Sequence, residues 1–196
     1  QYISKKENWE IKFKKGTLLQ NQKWLLSNEI DIMIDLGYSL ERSKKYTFSN
    51  ENIISTWAQV YSRKGLEINS LRDLKNKKIA VVRGNYFYSD PQHGLKYILI
   101  QLGDSARFVE VDSYKKVLQL VHKKKVDLGI VNRLYGSVEN NKYNIEKSSV
   151  IFSPVSLRFA FPKNGRFTKD IKPVIDDYIK KIKKDKNSIY YKSILK

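Results

Sequence analysis

Three short stretches of this chain carry side chains able to recognise an anion. In the first, Tyr38, Ser39 and Arg42 lie within five consecutive residues, and a guanidinium offers a rigid fork of donors suited to a carboxylate or phosphate. In the second, Arg83-Gly84-Asn85-Tyr86 sets a glycine where a strand gives way to a helix. A glycine at such a turn lets backbone N–H groups converge on an anion. In the third, Asn132 and Arg133 stand just past the apolar run Val126–Val131. Trp57 adds an indole able to stack on a ligand or seal a cleft. Each has a plainer alternative: a solvated arginine at 42, a core or hinge tryptophan at 57, and a glycine at 84 that serves the turn alone.

Strands must end beside these residues to make them useful, because open α/β sheets bind ligands past the carboxyl ends of their strands. Ile30, Ile32, Ile34 and Leu36 alternate with Asp31, Met33 and Asp35, which predicts a strand with one buried face, ending at Gly37. Lys78–Val82 and Val126–Val131 predict two more strands, the second buried and parallel, and Phe108–Val111 another. Trp9, Ile11 and Phe13 alternate as a strand closed by Gly16. The segments 53–63 and 152–161 read as extended crossings, with Pro154 at a strand end or edge. Helices are predicted over 17–26, 94–102 and 113–121, and from Thr168 or Asp170 along the stripe Ile171, Ile175, Ile179 and Ile182. A final short helix begins at Ile189.

Catalytic chemistry has little to work with. The chain contains no cysteine, which removes a thiol nucleophile, a disulfide framework and a thiolate metal site. His93 and His122 are far apart, and His122 reads as a solvated residue at a basic helix end. A GxxxxGKS/T phosphate loop is missing. Glu41 and Asp90 are isolated carboxylates that read as caps or surface charges. The expectation is a non-catalytic domain with no metal and no cofactor.

At 196 residues, 41% of them hydrophobic and 12% aromatic, the chain can bury a full core in one large domain or two small lobes. Its formal charge of +18 raises nucleic acid as a partner. Lysine greatly outnumbers arginine, however, and is scattered along the whole length, so the charge reads as a solvated surface and no nucleic-acid partner is expected. No apolar run approaches the roughly 20 residues that span a bilayer.

Taken together, Asp31–Asp35 with Tyr38–Arg42 and Tyr46–Ser49 resemble the signature of type 2 periplasmic solute-binding domains, an acidic residue followed by Gly, Thr and Arg and then Phe-Ser. The segment Leu71–Gly84 resembles the SLxDLKGKxIAVxxG segment of that family, and Val126–Asn132 its xxDAxxxD strand. Three matches in the expected order are far more specific than any one. Within the family, Trp57–Tyr61, Val131–Gly136 and Phe152–Phe161 are most similar to extracytoplasmic sensor domains of membrane-bound histidine kinases.

The resemblance implies a two-lobed α/β fold with two crossing hinge strands, from which the first strand and helix of lobe I are missing. Lobe I would comprise residues 1–56 and 158–196, and lobe II residues 57–157 with both hinge crossings. Ligand would bind in the cleft and close it, regulating an attached membrane kinase; a solute-binding protein of an ABC-type transporter is the alternative, and an enzyme on the same scaffold the rival from another class. The implied ligand contacts are Tyr38, Ser39, Arg42, Trp57, Arg83, Gly84, Asn85, Tyr86, Asn132 and Arg133. Amino-acid-binding members carry an acidic residue at the position of Asn132, which pairs with the α-ammonium. An amide cannot neutralise a cation, so the three arginines point to a small polar or anionic ligand instead. The domain would lie on the extracytoplasmic side, anchored to the membrane through flanking segments, and a homodimer of the full-length receptor is left open.

Overall fold

A computed structural model describes residues 1–194. In chain order its elements are α1 (Tyr2–Lys6), α2 (Leu18–Leu26), β1 (Met33–Gly37), α3 (Leu40–Ser43), β2 (Tyr46–Phe48), β3 (Ile54–Arg63), β4 (Lys78–Val82), α4 (Tyr86–Ser89) and α5 (Leu95–Gln101). There follow β5 (Arg107–Val111), α6 (Tyr114–His122), β6 (Leu128–Asn132), α7 (Arg133–Glu139), β7 (Ile145–Pro162), α8 (Thr168–Lys184) and α9 (Ile189–Ile194). The chain divides into two compact units. Unit 1 takes Gln1–Gly16, Asn21–Ile54 and the chain from Ser156 onward, while unit 2 takes Thr17–Gln20 and Ser55–Val155.

Unit 1 is built on the last third of β7. β1 and β2 both pair with it antiparallel, Gly37 opposite Leu157 and Tyr46 opposite Pro162. α8 carries the isoleucine stripe, and Ile175 and Ile179 are buried with Phe161 in a cluster joined by Ile3, Trp9 and Phe159. Each fully buried side chain of this size contributes roughly 1.5–3 kcal/mol. Asp176 on α8 accepts from the backbone N–H of Asn50 (2.7 Å), which fastens the turn after β2 to the helix.

In unit 2, β4 pairs parallel with both β5 and β6, and β6 pairs antiparallel with β3, Ala58 opposite Asn132. Ser113 caps α6 by accepting from Lys116 N–H. Val117, Leu118 and Val121 then recur at helical spacing and bury themselves with Ala80, Val82 and Val131. α7 follows β6 at once and lies close to the buried ring of Tyr61. A Cβ on Gly136 would come within 2.6 Å of that ring, so only glycine allows this approach.

Three sequence expectations are corrected. Residues 8–17 form no strand: Phe13 is 67% exposed and the alternation of Trp9, Ile11 and Phe13 has no partner ladder to satisfy its backbone. Trp9 packs instead beside Phe161. The first strand is shorter than its pattern, and its inward face is not the predicted one. Asp35 takes a positive φ of 61° and the register with β7 shifts between Met33 and Leu36. A bulge inserts one residue and so reverses the alternation after it; Met33 and Leu36 are buried and Ile34 is 54% exposed. Pro154 lies inside the 18-residue β7, directly after Ser153 at a φ of 52°, where the strand is locally irregular. The helix read over 94–102 is α5 with its N-cap Gly94 and C-cap Leu102, and a separate four-residue helix, α4, precedes it.

Candidate functional site

In unit 1 the turn after β1 organises the first group. Ser39 is the N-cap of α3 and its Oγ accepts from Arg42 N–H, a local bond that sets the direction of the short helix. Arg42 Nη1 donates to Gly37 O at 2.8 Å, so the fork is drawn back over the end of β1. Burial raises the Tyr46 pKa, with the Arg42 charge opposing it. Tyr38 packs edge-on against Phe48 at 5.2 Å, and the guanidinium of Arg158 lies 4.5 Å above its ring. Arg158 also donates to Ser49 O at 3.2 Å, while its buried Nε meets no partner among the described residues. Nothing in the sequence pattern around 158 signalled this arginine, because it stands on a strand whose neighbours are apolar.

Two groups form in unit 2, each past the carboxyl end of a parallel strand. After β4, Arg83 is engaged by acids of its own unit: Nε lies 3.2 Å from Glu110 and Nη1 3.0 Å from Asp112. Glu110 accepts from Tyr88 Oη as well, at 2.9 Å. Burial and that bond to Glu110 push the Tyr88 pKa up to about 12. Gly84 has a φ of 72°, the left-handed turn that a glycine there permits. Asn85 caps α4 through Oδ1 on Phe87 N–H and donates from Nδ2 to Tyr114 Oη at 2.8 Å. Tyr86 is buried, its ring parallel to His93 at 6.1 Å.

Asn132, the last residue of β6, caps α7. Its Oδ1 accepts from Leu134 N–H at 2.8 Å and from Thr56 Oγ1 at 2.9 Å. Arg133 lies with its guanidinium 4.0 Å over the indole of Trp57. Thr56 and Trp57 can reach these two residues because β3 runs antiparallel beside β6. Tyr135 on α7 packs against Tyr114 at 5.3 Å, which links this group to Asn85. Burial, aided by the charge of Glu139, raises the Tyr135 pKa. Thr56, Tyr114 and Tyr135 were not singled out from sequence; the signal was present for Tyr114 and Tyr135 only as aromatics next to a cap and a strand end.

The predicted residues thus fall into three groups, Tyr38, Ser39 and Arg42 in unit 1, and Arg83–Tyr86 and Trp57, Asn132 and Arg133 in unit 2. The isolated carboxylates are local partners: Glu41 pairs with Lys44, and Asp90 accepts from the backbone of Gln92 and His93. His122 accepts from Asn144 N–H at 3.0 Å. Among the described residues no helix is long and apolar enough to cross a membrane, and no cluster of acids and histidines could hold a metal.

Neither a family model nor a curated protein matches the sequence. Solved structures do. Holo ArgBP from T. maritima superposes with a TM-score of 0.78 at 18% identity, over 99% of this chain and 82% of that one. AncCDT-1, an ancestral amino acid-binding protein and precursor of cyclohexadienyl dehydratase, gives 0.79 at 19% identity over 97% and 78%. The substrate binding protein of an amino acid ABC transporter gives 0.76 at 16% identity over 93% and 78%. The fold is that of the type 2 periplasmic binding proteins. At 16–19% identity the likeness is one of fold, and ligand chemistry resides in this chain's own side chains.

Proposed function

We propose that this chain is the ligand-binding domain of a solute-binding protein that delivers a small polar or anionic molecule to an ABC-type transporter. The observation that carries the reading is the fold match, over 99% and 93% of this chain, to an arginine-binding protein and to the substrate binding protein of an amino acid transporter. Within unit 2 the proposed contacts are Asn132 and Arg133, held by Thr56 and Trp57; Tyr38, Ser39 and Arg42 are the candidates within unit 1. The domain acts on the extracytoplasmic side and is non-catalytic; its isolated carboxylates serving as local partners support that, although AncCDT-1 is a precursor of cyclohexadienyl dehydratase. Product formed from a bound ligand would revive the enzyme.

A sensor domain regulating a membrane-bound histidine kinase is the second reading, carried by the sequence resemblance of 57–61, 131–136 and 152–161. The binding proteins that share the fold favour transport over it. Whether the full-length gene joins this domain to membrane-spanning segments and a kinase separates the two.

A thermal-shift screen with amino acids, dicarboxylates and phosphate tests the common core. Ligand at a hundred times its Kd stabilises the folded state by about 2.7 kcal/mol, a rise of several degrees in Tm for a domain of this size. At least one probe is expected to give it. A flat screen across all three classes sinks the binding reading.

A further inference from the structure

The group past β6 decides more than that a ligand binds. Leu134 N–H can only donate, so the Asn132 atom 2.8 Å from it is the amide oxygen. Thr56 Oγ1 donates to the same oxygen at 2.9 Å, which occupies both of its lone pairs. What Asn132 has left is its NH2, and that group donates to no described residue. Arg133 is in the same state by a different route. Its guanidinium carbon lies 4.0 Å over the Trp57 ring, a cation–π contact in which no oxygen takes any of its five N–H groups. Among the described residues none of them meets an acceptor. The acid nearest in sequence on α7, Glu139, is engaged by Lys142 at 2.8 Å.

We propose that this group is a donor-only subsite, which takes an oxyanion of the ligand, a carboxylate or its chemical equivalent, and rejects an ammonium. The inference rests on the binding reading above and sharpens its substrate class: the ligand of this chain differs from a free α-amino acid at the end that meets Asn132 and Arg133. An ammonium placed there would find two donors and a positive charge, and its own hydrogen-bond demand would go unmet. An oxyanion would gain charge-assisted bonds from both residues.

The experiment compares ligands that share a carbon skeleton. Glutarate is glutamate without its ammonium, and calorimetry with both, plus phosphate and L-arginine, is run on the wild type, Asn132→Asp and Arg133→Gln. Aspartate caps a helix as well as asparagine does, so Asn132→Asp keeps its bonds to Leu134 and Thr56 and folds, while its carboxylate adds acceptor capacity and a negative charge. The wild type is expected to hold glutarate at least as tightly as glutamate. Arg133→Gln should weaken glutarate about 10- to 100-fold, and Asn132→Asp should reverse the order in favour of glutamate by about tenfold or more. A preference for phosphate over glutarate, lost in Arg133→Gln, assigns the same subsite to inorganic oxyanions. Tighter binding of glutamate or L-arginine by the wild type, or an order that Asn132→Asp leaves alone, overturns the donor-only subsite while the binding reading stands. No binding of any probe by any of the three proteins removes both.

Discussion

β4 and β6 are parallel neighbours in a mixed sheet, β4 followed at once by an arginine and β6 ending on an amide with an arginine next to it, yet the two arginines have different partners. Arg83 stands beside the end of β5, where Glu110 and, just past the strand, Asp112 both take its N–H groups. Arg133 stands beside β3, which supplies a hydroxyl and an indole and no acid. A guanidinium with two carboxylates has its N–H groups engaged within its own unit, whereas the one over the indole has N–H groups that meet no acceptor among the described residues. The lesson is that an arginine's role is set by the strand next door.

The most severe way to break this contrast is Gly136→Ala. The new Cβ meets the buried Tyr61 ring at 2.6 Å, where a core side chain cannot yield, and a destabilisation of about 1–3 kcal/mol is expected. Denaturant melts measure it, and loss of ligand binding before loss of the Arg83 contacts would show that α7 positions the β6 end alone. Arg133→Ala comes next. It should cost about 1.5–3 kcal/mol in binding of an anionic ligand with little change in Tm, read by calorimetry beside a melt. An equal loss in Arg83→Ala would erase the distinction.

Tyr88 sharpens the β4 side. Its folded pKa of about 12 stands above the ordinary phenol value of 10.0 because burial and Glu110 favour the neutral form. The folded state therefore holds this proton more tightly than the unfolded one, so the stability it confers is complete below about pH 10 and is lost as pH rises toward the folded value. Melts from pH 9 upward should show a decline that Tyr88→Phe reduces, with tyrosinate absorbance as the independent probe. The smallest effect belongs to Arg83→Ala, whose partners are each more than a third exposed. Exposed pairs of this kind contribute about 0–1 kcal/mol, and anion affinity should stay within about twofold of the wild type.

Much of the fold was legible because its signals are local. Val117, Leu118 and Val121 recur at helical spacing after a serine cap, and Lys78–Val82 is an apolar run too short for a helix. Where the pattern failed, a non-local fact intervened. Trp9, Ile11 and Phe13 alternate, but no described strand pairs with them; Ile30–Leu36 alternates, but the register shift between Met33 and Leu36 puts these two on the buried side and leaves Ile34 outside. Arg158 carried no signal, since its stacking on Tyr38 depends on β7 returning beside β1.

The sequence by itself determined which residues could donate to an anion, and that they follow strands, since residue chemistry and short-range periodicity are properties of the chain. Only the tertiary structure decided which donors remain available. Glu110 and Asp112 are remote from Arg83 in the chain and reach it through the β4–β5 ladder; Thr56 and Trp57 are remote from Asn132 and Arg133 and reach them through the β3–β6 ladder. Strand pairing chooses those partners, and hydrogen-bond saturation, which depends on the partners, fixes what each side chain can still offer.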